Sequence, residues 1–161
     1  MKFGIIKEGK NPPDKRVVLT PQACKALKET FKELEIIVEK SENRTFADQE
    51  YVKNGIEVTN DVSAADVLLG VKEVPIDTLI NDKKYFFFSH TIKKQPYNRD
   101  LLRAVLDKNI ELYDHEVITN QKEIRLVAFG RYAGIVGAYN AIRTFGIKNN
   151  SFILPKAQQL S

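Results

Sequence analysis

Two stretches of this sequence decide its fold: VLLGVKEVP at residues 67–75 and YFFFSHTIK at residues 85–93. Each is a short apolar run that leads into titratable side chains, Lys72 and Glu73 in the first and His90 in the second. Continuous apolar runs of this kind are typical of parallel strands buried on both faces. In parallel α/β sheets, ligands bind outside the carboxyl ends of the strands. The two stretches therefore predict strands that bring Lys72 and His90 to one edge of a sheet.

The rest of the sequence alternates between strand-like and helix-like segments. Strands are predicted at residues 3–7, 35–39, 56–59, 66–71, 85–88, 110–113 and 124–129. Helices are predicted from residue 20, at 46–54, at 96–109 and at 132–145. This alternation predicts an α/β fold of three layers, with a mostly parallel sheet and helices on both faces. Such a fold is flavodoxin-like and related to the Rossmann domains.

Several residues set the details of the predicted helices. Thr20 and Pro21 form a strong start signal, with Thr as the N-cap and Pro at the first helical position. Gly55 is expected to close the helix at 46–54. The third helix is expected to place four apolar residues on one buried face. These are Leu101, Leu102, Val105 and Leu106.

Composition sets broad limits on function. The 161 residues fit one domain, and the 43% hydrophobic content is that of an ordinary globular protein. No apolar run approaches the ~20 residues needed to cross a bilayer, so no membrane association is expected. Cys24 is the only cysteine, which rules out a disulfide within the chain. We expect no metal site and a reducing, cytoplasmic location.

The net charge of +4 suggests a polyanionic partner at first sight. However, the basic residues are spread along the chain among acidic ones, and no nucleic-acid-binding motif is present. A small positive excess suits an anionic small molecule equally well. We therefore expect a small-molecule ligand and no nucleic acid.

Charged residues follow four of the predicted strands, whose carboxyl ends should share one edge of the sheet. They are Lys15 and Arg16 after the first strand, Lys72 and Glu73, then His90, Lys93 and Lys94, and finally Asp114, His115 and Glu116. Their convergence from separate segments indicates a ligand site more strongly than any one of them does.

Each of these residues also has an ordinary explanation. Lys72 could be a solvated surface lysine, because long charged side chains are normally exposed. His90 could be a strand-end histidine bonded to a backbone carbonyl. Alternatively, Lys72 and His90 are an acid–base pair that acts on a carbonyl or imine carbon. His115 lies between two acidic residues and is expected at the surface.

Three arginines are candidates for binding carboxylates. Arg16 lies in a loop that Pro12 and Pro13 should stiffen, and a planar guanidinium suits bidentate binding of a carboxylate. Arg125 and Arg131 flank the strand predicted at 124–129. For each arginine, a plain surface role is an open alternative.

The segment FGRYAGIVGA at residues 129–138 invites a nucleotide-binding interpretation. Its glycines are spaced G-x-x-x-G-x-x-G, which does not match the dinucleotide fingerprint G-x-G-x-x-G. Small residues at Gly134, Gly137, Ala138 and Ala141 instead favour close packing of this helix on a neighbour. We therefore predict no cofactor-binding residue in this chain.

Four segments together resemble the N-terminal domain of the alanine dehydrogenase, transhydrogenase and saccharopine dehydrogenase superfamily. They are KRVVLTP (15–21), GVKEVP (70–75), YFFFSHTIKKQ (85–95) and VAFGRYAGIVGA (127–138). Within that group, the last two are most similar to lysine–ketoglutarate reductases and lysine-forming saccharopine dehydrogenases. The likeness runs from about residue 3 to residue 146.

The resemblance implies a reaction and a role for each site residue. Lysine and 2-oxoglutarate would condense to an imine, which a nicotinamide hydride reduces to saccharopine, or the reverse. By position, Lys72 matches the general base of the family and His90 its second acid/base. Arg16 and Arg125 match ligands of substrate carboxylates, whereas Arg131 replaces an uncharged residue and is a further candidate. Glu73 and Glu116 match acidic residues that tune the pKa of the lysine.

The resemblance also implies a domain layout. Residues 1–146, with a connecting helix at 132–145, would form the substrate-binding domain. Residues 147–161 would form a linker toward a Rossmann domain that lies outside this chain and binds most of the NAD or NADP. The chain alone is then expected to be inactive, and a homo-oligomer is allowed. An alanine dehydrogenase-like domain and a stand-alone binding module are the alternatives.

Overall fold

The computed structural model describes residues 1–12 and 14–159. Pro13, half of the proline pair expected to stiffen the first loop, lies outside the described residues, as do residues 160 and 161 of the predicted linker. The described chain forms one six-stranded sheet in which every neighbouring pair of strands is parallel. Its strands are β1 (Lys2–Ile5), β2 (Glu35–Glu39), β3 (Glu57–Thr59), β4 (Val67–Leu69), β5 (Lys84–Phe87) and β6 (Glu111–Asp114).

The strand order β3-β2-β1-β4-β5-β6 explains where a site can form. From β1 the chain winds outward through β2 to β3, and it then crosses back to place β4 on the other side of β1. The loops after β1 and β4 therefore leave in opposite directions and open a crevice at the carboxyl ends of these two strands. This crevice is the topological switch point of the sheet.

Helices cover both faces of the sheet, as predicted. They are α1 (Pro21–Thr30) and α2 (Asp48–Lys53) on one face and α3 (Arg99–Asp107) on the other. A fourth helix, α4 (Gly130–Lys148), packs in neither core. Thr20 caps α1 by accepting the backbone N–H of Ala23 at 3.1 Å. Gly55 follows α2 with a φ of 73°, in the left-handed region that glycine adopts without a steric cost.

Two apolar cores, one on each face, make the three layers. Alternate residues of a strand point to opposite faces. Ile36 and Val38 of β2 therefore pack in the core that contains Cys24 of α1. Ile37, between them, packs in the core that contains Val105 of α3. The predicted three-layer α/β architecture is confirmed.

The apolar face predicted for α3 is wrong in two of its four residues. Leu101 and Val105 are buried, whereas Leu102 is 41% exposed and Leu106 is 70% exposed. Residues four apart lie on one line of a helix, but a neighbour in sequence is rotated by about 100° from that line. Leu101 and Val105 occupy the line that faces the sheet, so Leu102 and Leu106 point toward solvent.

The strand predicted at 124–129 is not formed. Within the described residues, its one β-bridge is isolated and antiparallel, between Thr119 and Arg125. The Asn120 side chain accepts the backbone N–H groups of Lys122 and Ile124, which closes a tight loop. Ile124 is consequently 60% exposed instead of buried in the sheet.

Helix α4 begins at Gly130 and ends at Lys148, so it extends into the segment predicted to be a linker. Most of its side chains are exposed, including Ile135 and Phe145. A methyl group added at Gly134 or Gly137 would meet no other atom within 4 Å. Within the described chain, the close packing predicted for these glycines is therefore wrong. No helix in the described residues is both long enough and apolar enough to cross a bilayer.

Candidate active site

The switch point between β1 and β4 holds Glu8 and Lys72. Glu8 Oε1 accepts the backbone N–H of Val71 at 2.7 Å, and Glu8 Oε2 accepts that of Lys72 at 2.8 Å. One carboxylate thus fixes two successive peptide groups where the chain leaves β4. Burial raises the pKa of Glu8, although these two hydrogen bonds act in the opposite direction.

Lys72 is half-buried beside the loop that follows β1. In that loop, Arg16 Nη2 lies 2.6 Å from Asp14 Oδ2. Hydrogen bonding from Arg16 is the main reason that the pKa of Asp14 falls to about 2, and the charge of Lys72 adds to the effect. Lys72 therefore lies near the loop that carries Arg16.

Glu73 lies between Lys10 and His90. Its Oε2 is 2.8 Å from Lys10 Nζ, and its Oε1 is 3.7 Å from His90 Nε2. Burial is the largest influence on the pKa of Glu73 and would raise it. The hydrogen bond from Lys10, with smaller contributions from the Lys10 and His90 charges, nevertheless lowers that pKa. Glu73 is therefore held as a carboxylate beside His90.

His90 follows β5 with a left-handed backbone, at a φ of 56°. Its Nδ1 lies 3.0 Å from Glu116 Oε2, at the end of β6. The imidazole, 20% exposed, is thus bracketed by carboxylates from two other strand ends, Glu73 and Glu116. Hydrogen bonding to His90 is the largest cause of the lowered pKa of Glu116.

Lys93 completes this group of charges. Its Nζ is 3.1 Å from His90 Nδ1 and 3.2 Å from Glu116 Oε1. A neutral Nδ1 can accept a hydrogen bond from the Lys93 ammonium, whereas a protonated Nδ1 donates to Glu116. Whether Nδ1 carries a proton therefore decides whether Lys93 can donate a hydrogen bond to it.

Aromatic rings place the predicted arginines near the same edge. The Arg16 guanidinium lies 4.9 Å from the ring centre of Phe129, and that of Arg125 lies 6.0 Å from Phe88. The rings of Phe88 and Phe129 are 6.2 Å apart. Arg125 also lies 3.8 Å from Glu116 Oε1. Arg16 and Arg125 therefore flank one aromatic surface next to His90.

Two sequence-based expectations differ from this arrangement. Arg131 is exposed in the first turn of α4 and has no part in the contacts just described. His115, expected at the surface, is 6% exposed. Its Nε2 bonds to the carbonyl oxygen of Gly70 at 3.1 Å, and burial lowers its pKa. The surface position predicted for His115 is wrong because its side chain points back across the sheet.

Sequence reasoning missed Glu8 and Lys10 as members of the site. Both lie in the loop after β1, so the rule that ligands bind at the carboxyl ends of parallel strands would have included them. It also missed the aromatic contacts of Phe88 and Phe129. Within the described ranges, no group of three or more His, Cys, Asp or Glu side chains could hold a metal ion.

The arrangement suits proton transfer next to an anionic ligand. An imidazole and a lysine can exchange protons with a reacting group. The guanidinium groups of Arg16 and Arg125 have the planar geometry that binds carboxylates. Such a combination fits a small substrate that carries several carboxylates and gains or loses a proton.

Comparisons with known proteins identify the family of this chain. The sequence model described as alanine dehydrogenase/PNT, N-terminal domain, matches residues 4–136. The mitochondrial alpha-aminoadipic semialdehyde synthase of Bos taurus is 37% identical over 146 residues, which are 91% of this chain and 16% of that protein. The NAD(+)-dependent, L-lysine-forming saccharopine dehydrogenase of Yarrowia lipolytica is 32% identical over 142 residues, which are 85% of this chain and 38% of that protein. This chain thus spans well under half the length of either relative.

Solved structures support the fold. An L-alanine dehydrogenase superposes with a TM-score of 0.62 at 23% identity, over 76% of this chain and 34% of that one. The transhydrogenase from Sinorhizobium meliloti gives a TM-score of 0.61 at 20% identity, over 74% of this chain and 36% of that one.

Proposed function

Because this chain belongs to the alanine dehydrogenase/PNT N-terminal domain family, we propose that it is the substrate-binding half of an NAD(P)-dependent oxidoreductase that forms or cleaves saccharopine. The observation that carries this proposal is the position of His90 between Glu73 and Glu116. Lys72 and two carboxylate-binding arginines lie along the same edge of the sheet. These are the groups that an imine-forming reaction between lysine and 2-oxoglutarate requires.

Proton transfer is the main task of Lys72 and His90 in this proposal. Imine formation joins the amine nitrogen of lysine to the keto carbon, and two protons pass from that nitrogen to the keto oxygen, which leaves as water. Lys72 accepts a proton as the general base, and His90 serves as the second acid/base. Glu73 and Glu116 orient the imidazole and stabilise the positive charge that develops when it takes up a proton. A bound nicotinamide would supply the hydride for reduction of the imine carbon.

Substrate binding is assigned to the arginines. Saccharopine carries three carboxylates, and a planar guanidinium can hold a carboxylate through two parallel hydrogen bonds. Arg16 and Arg125 are preferred because their guanidinium groups lie near Phe129 and Phe88 at the edge that carries His90. Arg16 is also paired with Asp14 and Arg125 lies near Glu116, so a substrate carboxylate would share or replace these partners. Arg131, which is exposed in α4, is assigned a further carboxylate.

The remaining parts of the proposal concern the whole protein. Residues 1–146 form the substrate domain, and residues 147–161 lead toward the domain that binds NAD or NADP. The name of the bovine relative places that protein in mitochondria. A cytoplasmic location of this protein stays a prediction.

An assay of the complete polypeptide that contains this chain tests the proposal. Oxidation of NADH and NADPH is followed with lysine plus 2-oxoglutarate, and then with pyruvate plus ammonia. We expect turnover with the first pair. Turnover with the second pair alone would replace the proposal with an alanine dehydrogenase-like activity, and turnover with neither would favour a binding module.

A further inference from the structure

The turns that carry His90 and Glu116 leave neighbouring strands. In the parallel ladder between β5 and β6, Phe87 is the partner of Asp114. Ser89 and His90 follow shortly after Phe87, and Glu116 follows shortly after Asp114. The relative placement of His90 and Glu116 therefore depends on what joins these two turns.

The Asp114 side chain joins them. Its Oδ2 accepts the backbone N–H of Ser89 at 3.2 Å and also accepts a short hydrogen bond from the Ser89 hydroxyl. Its Oδ1 accepts the backbone N–H of Glu116 at 2.8 Å. Asp114 is 7% exposed and Ser89 is fully buried, so solvent does not compete for these hydrogen bonds.

Ser89 also restrains the turn that follows it through hydrogen bonds. Its hydroxyl oxygen accepts the backbone N–H of Thr91 at 3.1 Å and lies 2.8 Å from the Thr91 hydroxyl. Asn98 donates from its side-chain amide to the His90 carbonyl oxygen at 3.3 Å. The backbone of His90 is therefore held on both sides.

Such restraint is needed because His90 has a left-handed backbone. A residue other than glycine adopts this conformation at a steric cost and keeps it only where its surroundings impose it. Without the hydrogen bonds of Ser89, the turn could relax, and the imidazole would move away from Glu116.

We propose that Asp114 is a positioning residue that sets the contact between His90 and Glu116 through the Ser89 turn. A carboxylate suits this role because three donors converge on it, and an ionised carboxylate only accepts hydrogen bonds. An asparagine of the same shape would direct its amide hydrogens toward one of these donors. The catalytic consequence of the inference rests on the proposed acid–base role of His90, whereas the contact itself does not.

The test is an NMR titration of the Glu116 side-chain carboxyl group in the 161-residue chain, in the absence of substrate and nicotinamide. In the unmodified chain, the pKa of Glu116 should lie below its ordinary value, chiefly because His90 is hydrogen-bonded to it. In Asp114→Asn, that pKa should rise, since His90 and the adjacent Lys93 lose their fixed positions together. An unchanged pKa in folded Asp114→Asn would overturn the inference.

Val105→Ala is the control for general loss of stability. Val105 is buried in the core beneath α3, and its truncation should lower the unfolding midpoint without changing the pKa of Glu116. If Asp114→Asn does not fold, the pKa of Glu116 is measured in Ser89→Ala instead. This substitution removes only the hydrogen bonds of the Ser89 hydroxyl with Asp114 and Thr91. A raised pKa of Glu116 in Ser89→Ala supports the inference, and an unchanged one contradicts it.

The same variants separate this inference from the proposed reaction. In the complete polypeptide, Asp114→Asn should lower kcat by about 10–100-fold with little change in KM, as expected when a reacting group is misplaced by about 1 Å. If the polypeptide has no saccharopine activity, the titration alone decides whether Asp114 positions His90. If the pKa of Glu116 is the same in Asp114→Asn as in the unmodified chain, the positioning role is overturned and the proposed reaction is unaffected.

Discussion

Glu8 Oε2 accepts the backbone N–H of Lys72 at 2.8 Å, which ties the loop after the first strand to the proposed general base. The other oxygen of Glu8 holds the N–H of Val71 in the same way. Lys72 is therefore fixed through its main chain. The contribution of these two hydrogen bonds to the free energy of unfolding can be measured.

Glu8→Gln should destabilise the chain by about 1–3 kcal/mol, because one of two buried N–H groups would face an amide NH₂ instead of an acceptor. Unfolding by urea, monitored by circular dichroism, measures the change. Glu29→Gln is the matched control, since Glu29 is 63% exposed in α1 and its substitution should cost no more than about 0.5 kcal/mol. Equal costs for the two variants would show that Glu8 contributes nothing special at the switch point.

Lys72→Met and His90→Gln should each lower turnover of the complete polypeptide by about 10²-fold or more, the usual scale for general acid–base groups. Steady-state rates with lysine, 2-oxoglutarate and reduced nicotinamide provide the measurement. Lys53→Met, at an exposed position near the end of α2, should retain the activity of the unmodified protein. Full activity in both site variants would place the chemistry elsewhere.

Acid should weaken the loop that carries Arg16. The Arg16 guanidinium hydrogen-bonds to Asp14 and lowers the pKa of Asp14 to about 2. In the unfolded chain, the pKa of an aspartate is ~3.9. A lowered carboxyl pKa stabilises the fold above the unfolded pKa, and this contribution disappears as the pH falls toward 2. Urea midpoints measured between neutral and acidic pH should fall less steeply in Asp14→Asn than in the unmodified chain. Parallel curves would mean that the Asp14–Arg16 pair does not contribute to stability.

Helix α3 offers a matched pair of leucines. Leu101 is 6% exposed and Leu106 is 70% exposed. Leu101→Ala should cost about 2–5 kcal/mol through lost burial and the cavity that remains. Leu106→Ala should change the free energy of unfolding by no more than about 0.5 kcal/mol. Chemical denaturation of both variants checks which face of α3 meets the sheet, and similar costs would refute this orientation.

Sequence patterns predicted the sheet well because buried parallel strands are continuous apolar runs. The strand predicted at 35–39 has the same bounds as β2, and Thr20 caps α1 as expected. The same signal failed at 124–129, where apolar residues occur without burial. There, local hydrogen bonds to the Asn120 side chain outweigh strand pairing.

The site was predictable in part. Lys72, Glu73, His90 and Glu116 follow strands, so their convergence could be inferred from strand order alone. The contacts of Asp114 with Ser89 could not, since they depend on the register between β5 and β6. Sequence periodicity does not contain that register. Likewise, nothing in the sequence around His115 indicated that its ring would reach the carbonyl oxygen of Gly70, which follows β4.

In this domain, stability of the fold and association in solution depend on different elements, and α4 is concerned only with association. The two cores that stabilise the fold lie between the sheet and the first three helices, and neither contains a residue of α4. The exposed apolar side chains of α4 include Tyr132, Ile135 and Phe145. Large apolar surfaces of this kind promote aggregation. At high concentration, we therefore expect association of this chain to proceed through α4, whereas its resistance to heat and urea depends on the two cores that flank the sheet.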